Sequence, residues 1–228
     1  MDPLILLDQA VAQERVPRAI AKKVRLHMAL VQQAVARVEK ASGLKYPPYY
    51  VEPALPLSKG GGEYGQAGAF FARVIPTTAG GALTILVQFT AALVANGTKA
   101  TIEAVAAHEF THYVELVRRL STANVTSDEV ATTFYEASYA DSERTFPAKL
   151  LFSDRALVTL LARKFKPELT DPALSKKVSD SWVAKGLPVR WVGPESNRVG
   201  LEMGVVARTA FDPAVVKKAS EIEEKMKA

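Results

Sequence analysis

The sequence predicts an α+β fold, in which a small antiparallel or mixed sheet packs on two central helices flanked by mostly helical N- and C-terminal segments. Three observations predict it. Apolar residues recur at three- and four-residue intervals through residues 3–42, the period of a helix with one buried face. Two runs rich in β-branched and aromatic residues, "AFFARVIPT" (69–77) and "ALTILVQFT" (82–90), are joined by the glycine-bearing "TAGG", which is a hairpin signal. A 228-residue chain that is 48% hydrophobic is long enough for one large domain with a true core.

The elements follow in order. Leu4, Leu7 and Val11 predict a first helix, and Ile20, Val24, Met28, Val31, Val35 and Val38 a second that starts at Pro17, where proline suits a first turn. Residues 43–68, rich in Pro, Gly and Tyr, predict an extended loop with a short strand at Tyr49 to Glu52. After the hairpin, "ANGTKAT" supplies a turn and a threonine cap for a helix from Thr101 to about Leu120. "STANVTSD" breaks that helix. Another is expected from Ser127 or Asp128 to about Arg144, capped by Thr126 or Ser127.

Beyond Phe146-Pro147, helices are expected at about 154–165, 172–185 and 213–227, the last two opening on Asp171-Pro172 and Asp212-Pro213. "LPVRWVG" and "RVGLEMGVVARTA" predict a small β element between them. No linker or repeat divides the chain. It reads as one domain, with a helical arm (1–42), a core (43–150) and a mostly helical C-terminal subdomain (151–228).

Composition excludes several classes of function. The net charge of +5 is dispersed among acidic residues, which argues against a nucleic-acid surface. With no cysteine there is no disulfide, thiolate-held metal or thiol nucleophile. The opening "MDPLILLDQAVAQERV" lacks the form of a secretory signal, so a cytoplasmic location is expected. The longest apolar stretch, "ALTILVQFTAALVA", contains Gln88 and two threonines and falls short of the ~20 residues that span a bilayer. "SKGGGEYG" lacks the Lys-Ser/Thr pair after its glycines that a phosphate loop requires.

The residues that carry chemistry lie in "IEAVAAHEFTHYVEL", Ile102 to Leu116. His108, Glu109 and His112 form H-E-x-x-H on a predicted helix. Positions four apart sit one turn along and ~40° around, so both imidazoles can reach one cation. Two of the three histidines in the chain fall in this motif. Their helix is otherwise apolar, which predicts burial, and buried charge without a partner is costly. Zinc suits such donors, and a catalytic site leaves one position open for water.

A third ligand must come from elsewhere. A third histidine six residues after His112 is absent, because that position is Arg118, and His27 lies in the N-terminal helix. A carboxylate from the following helix is the expected donor. Glu136, bordered by Phe134, Tyr135 and Ala137, is the first candidate; Glu129 is the alternative, with Glu143, Asp128 and Asp141 behind it.

Between Ala82 and Asp141 the chain resembles the gluzincins, zincin-like metallopeptidases in which HExxH and a glutamate on the next helix bind zinc. "TIEAVAAHEFTH" resembles the core of the membrane-associated HExxH peptidases without their transmembrane helices, and "YEA" is similar to the glutamate helix of ImmA-like peptidases. The resemblance implies a hydrolase with Zn2+ held by His108, His112 and Glu136, Glu109 as general base, and a peptide or protein substrate. It implies that the substrate lies along an exposed strand edge, for which Ala82 to Thr90 is the candidate. Tyr113, Tyr139, Arg144 and Arg198 are the available donors for transition-state stabilisation. Where the class often places an aspartate four residues after its ligand glutamate, this chain has Ala140. That departure leaves a second reading, a catalytically inactive zinc-stabilised binding or regulatory module of the same fold.

Overall fold

The structure, a computed structural model, describes residues 2–58, 68–79, 81–122, 133–136, 145–166, 169–192, 198–201 and 203–227; at 58, 79, 133–136, 198–200 and 203 it describes the backbone alone. Its architecture is α+β. Two helices form the arm, α1 (Ile5–Ala12) and α2 (Arg18–Ser42). Pro17 caps α2 as expected, its ring holding φ at −61°. Gly43 ends α2 in the left-handed region at φ 73°, and its N–H returns to Glu39 O. The predicted apolar stripe of α2, from Val24 to Val38, is buried.

Strands β1 (Tyr49–Glu52), β3 (Ala72–Ala79) and β4 (Ala82–Thr90) form one mixed sheet in the order β1-β4-β3. The hairpin is as predicted, with Val74 opposite Val87 and Ala79 opposite Ala82. Strand β4 is not the exposed edge expected of Ala82 to Thr90. Tyr49–Glu52 runs parallel along Val87–Thr90 and makes β4 the middle strand, because Val51, Val87 and Phe89 bury together on one face. The outer strand on the far side is β3.

The apolar sheet face carries Val51, Val74, Ile85, Val87 and Phe89. Tyr49 meets Phe89 edge-on at 5.9 Å and Tyr46 at 6.1 Å, and Tyr46 stacks on Phe110 at 5.4 Å. This row of rings joins the sheet to α4 (Lys99–Ser121), the helix that bears the motif. Helix α2 packs on the same helix. Between sheet and motif helix, Ala91–Asn96 form a short buried helix, α3, capped by Thr90. Its apolar run reads as a continuation of β4, so sequence pattern alone does not separate the two.

The expected helix from 127 to 144 is overturned where the structure describes it. Thr133–Glu136 is a strand, β5, antiparallel to β7 (Arg198–Leu201), with Glu136 opposite Arg198. Thr133, Phe134 and Tyr135 are β-branched or aromatic and suit a pleated surface better than a helix. Glu129, Tyr139, Asp141, Glu143 and Arg144 lie outside the described residues. The β element predicted at 187–210 is also rearranged. Strand β6 (Val189–Val192) pairs in parallel with β2 (Leu55–Ser58) rather than with β7, and Met203–Arg208 is a helix, α8.

The remaining helices are α5 (Ala148–Leu151), α6 (Arg155–Lys164), α7 (Pro172–Val178) and α9 (Pro213–Lys227). The predicted 172–185 helix passes into a π-helical turn at Ser179–Val183 around Trp182, a fully buried ring whose Nε1 donates to Pro188 O at 2.9 Å. One buried cluster links residues from Leu7 to Ile222. Among the described residues no helix is long and apolar enough to cross a membrane.

A buried polar lock ties α6 and α7 to the start of α4. Asp171, 8% exposed, accepts from Lys164 Nζ at 2.6 Å, Thr101 Oγ1 at 2.5 Å and the Leu174 N–H at 3.0 Å. Burial works against its ionisation, but the Lys164, Thr101 and Leu174 hydrogen bonds outweigh it and hold the carboxyl below its ordinary range. Asp171→Ala leaves Lys164 without its counter-charge and is expected to lower stability by about 3 kcal/mol in chemical denaturation. A depressed carboxylate stabilises the fold above the unfolded value near ~3.9 and stops doing so as pH falls through the folded one. The variant should therefore lose part of the wild type's acid-limb pH dependence below about pH 4.

Candidate metal centre

Helix α4 begins at Thr98, whose Oγ1 accepts from the Thr101 N–H at 3.2 Å, so the threonine cap is observed and the helix starts two residues earlier than predicted. The apolar residues Ile102, Val105, Ala106, Phe110, Val114 and Val117 anchor it in the core. That anchoring fixes the direction in which His108 and His112 project. One turn apart, the two side chains converge until their Nε2 atoms are 3.1 Å apart, with the rings at 86°. Two nitrogens bound to one tetrahedral zinc at ~2.0–2.1 Å sit roughly 3.3 Å apart. The spacing thus fits a shared cation with little adjustment.

The protonation state of His108 agrees with that use. Burial, and then the neighbouring His112, push the His108 imidazole down to about 3, so it is neutral at physiological pH. A ligating imidazole must be neutral. Thr111 Oγ1 donates to His108 O at 2.7 Å. The ring of Phe165, at the end of α6, lies flat on the His108 ring at 3.9 Å and 10°.

Glu109 is turned into the protein and only 7% exposed. Among the described residues nothing hydrogen-bonds to its carboxyl. Buried carboxyls without a partner are rare because the desolvation cost is not offset. Burial pushes this one up to about 8, against the pull of the Arg73 charge.

Arg73 belongs to a polar row across the second face of the sheet. It donates to Gln88 Oε1, and Gln88 Nε2 donates to Tyr50 Oη at 2.9 Å and Glu52 Oε2 at 2.6 Å. The row follows the register, since Arg73 and Tyr50 both stand opposite Gln88. Gln88 is almost wholly buried.

The structure therefore brings His108 and His112 together, with Glu109 beside them on the helix. Among the described residues Tyr113 makes no hydrogen bond to either histidine. That side chain is half-buried next to Phe110 at 5.7 Å, and burial followed by the Asp212 charge raises its pKa. Arg198 is on β7 and Glu136 on β5, known by backbone only. Among the described residues no three histidine, aspartate or glutamate side chains come close enough to hold a metal. His27 is structural, its Nδ1 2.8 Å from Val94 O.

Sequence reasoning missed Arg73, Gln88 and Phe165. The first two carried a signal, a charged and an amide residue facing each other across a predicted hairpin. Phe165 carried none, because it meets His108 only through tertiary packing of α6 on α4. Compared with protein-family models, curated proteins and solved structures, the chain has no match in any of the three.

Proposed function

We propose that this protein is a zinc-dependent metallopeptidase. The observation that carries the reading is the convergence of two imidazoles, that of His108 neutral, at 3.1 Å on one turn of a helix anchored by its apolar face in the core. His108 and His112 would hold the ion, and Glu136 is the proposed third donor, with Glu129 the alternative. When bound, zinc lowers the pKa of a water toward ~7 and polarises a carbonyl oxygen.

Glu109 would take the water's proton and return it to the leaving amine in its ionised form, which is the minor one at neutral pH in the metal-free protein and which a cation held by the neighbouring histidines favours. The apolar setting of α4 keeps bulk water from the carboxylate. The outer strand β3, which packs against α4, is the place where a substrate backbone can add to the sheet. These assignments rest on the donor set and its burial.

One observation favours the second reading, a zinc-stabilised binding module without catalysis. Residues 133–136 are strand, whereas the gluzincin order puts the ligand glutamate on a helix. A single experiment separates the two readings. Zinc content and cleavage of a mixed-sequence peptide library are measured for the wild type, Glu136→Gln and Glu129→Gln. A peptidase with Glu136 as ligand loses about 10-fold or more in zinc affinity and its cleavage in Glu136→Gln alone, by the scale on which metal-site residues act. Zinc binding by the wild type with no cleavage of any peptide supports the module.

A further inference from the structure

We infer that Phe165 is a positioning residue of the metal centre, holding the His108 imidazole so that its Nε2 faces His112. The inference rests on the metal-binding part of the function proposed above and goes beyond it by assigning the element that orients the ligand.

A metal-ligating histidine ordinarily donates its second ring N–H to a carboxylate or carbonyl, which fixes both tautomer and ring angle. Among the described residues His108 Nδ1 has no hydrogen-bond partner. The ring is instead held on its face. Phe165 lies parallel to it at 3.9 Å with an interplanar angle of 10°. A stacked face leaves the ring edge open, and the edge is where Nε2 meets the second imidazole.

The chemistry of the stack points the same way. Two neutral rings prefer edge-on or offset contacts, because their negative faces repel. An imidazole bound to a cation is electron-poor, and an aromatic face attracts positive charge. A close parallel contact is thus better suited to the metal-bound ring than to the free one, so the stack favours the bound state.

The stack is also rigid. Phe165 is the residue that ends α6, its N–H donates to Leu161 O at 2.9 Å, and its backbone bridges to Leu169. Helix α6 packs directly on α4, so the two rings are carried by elements locked to each other. The Lys164–Asp171 ion pair, one residue before Phe165, fastens the same corner.

The test uses the full chain. Zinc affinity is measured by competition with a chromophoric chelator, and the visible spectrum of the Co2+-substituted protein reports ligand geometry. Phe165→Leu keeps an apolar side chain and removes the π face; it should weaken zinc about 10-fold and alter the Co2+ bands, while Phe165→Tyr should stay within about 2-fold of wild type with an unchanged spectrum. Phe165→Met serves the same purpose as the leucine variant if that variant does not fold. Wild-type affinity and spectrum in Phe165→Leu or Phe165→Met would overturn the positioning role and leave the metal centre intact. Failure of the wild type to bind zinc or Co2+ would overturn the metal centre itself.

Discussion

Glu109→Gln should lower peptide hydrolysis by about 10²- to 10⁴-fold while zinc stays bound, because glutamine keeps the size of the side chain and removes only its capacity to take a proton. The same substitution should make the metal-free protein more stable. In that state the Glu109 carboxyl is buried without a hydrogen-bond partner among the described residues, and burial holds its pKa near 8 against an ordinary 4.5. The sign follows from linkage. A carboxyl whose folded pKa is raised binds more protons folded than unfolded between about 4.5 and 8, so stability falls as pH rises through that window. Glutamine has no such dependence. The gain in melting temperature should therefore be largest above pH 8 and smallest near pH 4.5. Thermal unfolding in chelator at several pH values, beside initial cleavage rates, checks both halves. A variant that is less stable at pH 8 and cleaves as fast as wild type would show that Glu109 is a core residue and nothing more.

The placement of a carboxyl and two imidazoles on a largely buried helix is the part of the candidate site that the sequence displays most openly. His108, Glu109 and His112 interrupt an apolar helix, and both the periodicity and the motif spacing survive into the fold because they depend on residues one to four apart. The hairpin and the β1 strand at Tyr49–Glu52 were legible for the same reason. What failed depends on partners far along the chain. The "TTFYEAS" text reads as helix for its place after the motif helix, against its own β-branched and aromatic residues, and Thr133–Glu136 gains its hydrogen bonds from Arg198–Leu201 some 60 residues later. Strand β4 looks like a free edge until Tyr49–Glu52 returns beside it. Phe165 is invisible at a separation of 57 positions from His108, since nothing local distinguishes a phenylalanine that stacks on a ligand from one that fills a core.

His108→Ala should abolish the response of the protein to zinc, and the size of that response makes it a decisive measurement. A metal that binds the folded chain alone adds RT ln(1 + [L]/Kd), about 4 kcal/mol when zinc is present at 1,000 times its Kd. For a domain of this length each kcal/mol moves the melting temperature by ~2–4 °C, so zinc should raise the wild type by about 8–16 °C. Alanine removes one of the two converging nitrogens and the Phe165 stack together, and the shift should vanish. A lower melting temperature in the variant is not by itself informative, because it loses packing as well. The informative quantity is the difference between zinc and chelator in each protein. His27→Ala is the matched control: its imidazole is held by the Val94 carbonyl on α3, far in sequence from the motif, and its loss should lower the melting temperature yet leave the zinc shift whole. An equal zinc shift in His108→Ala and wild type would place the cation somewhere else, and the 3.1 Å contact would then be a structural hydrogen bond that satisfies a ring nitrogen of each histidine.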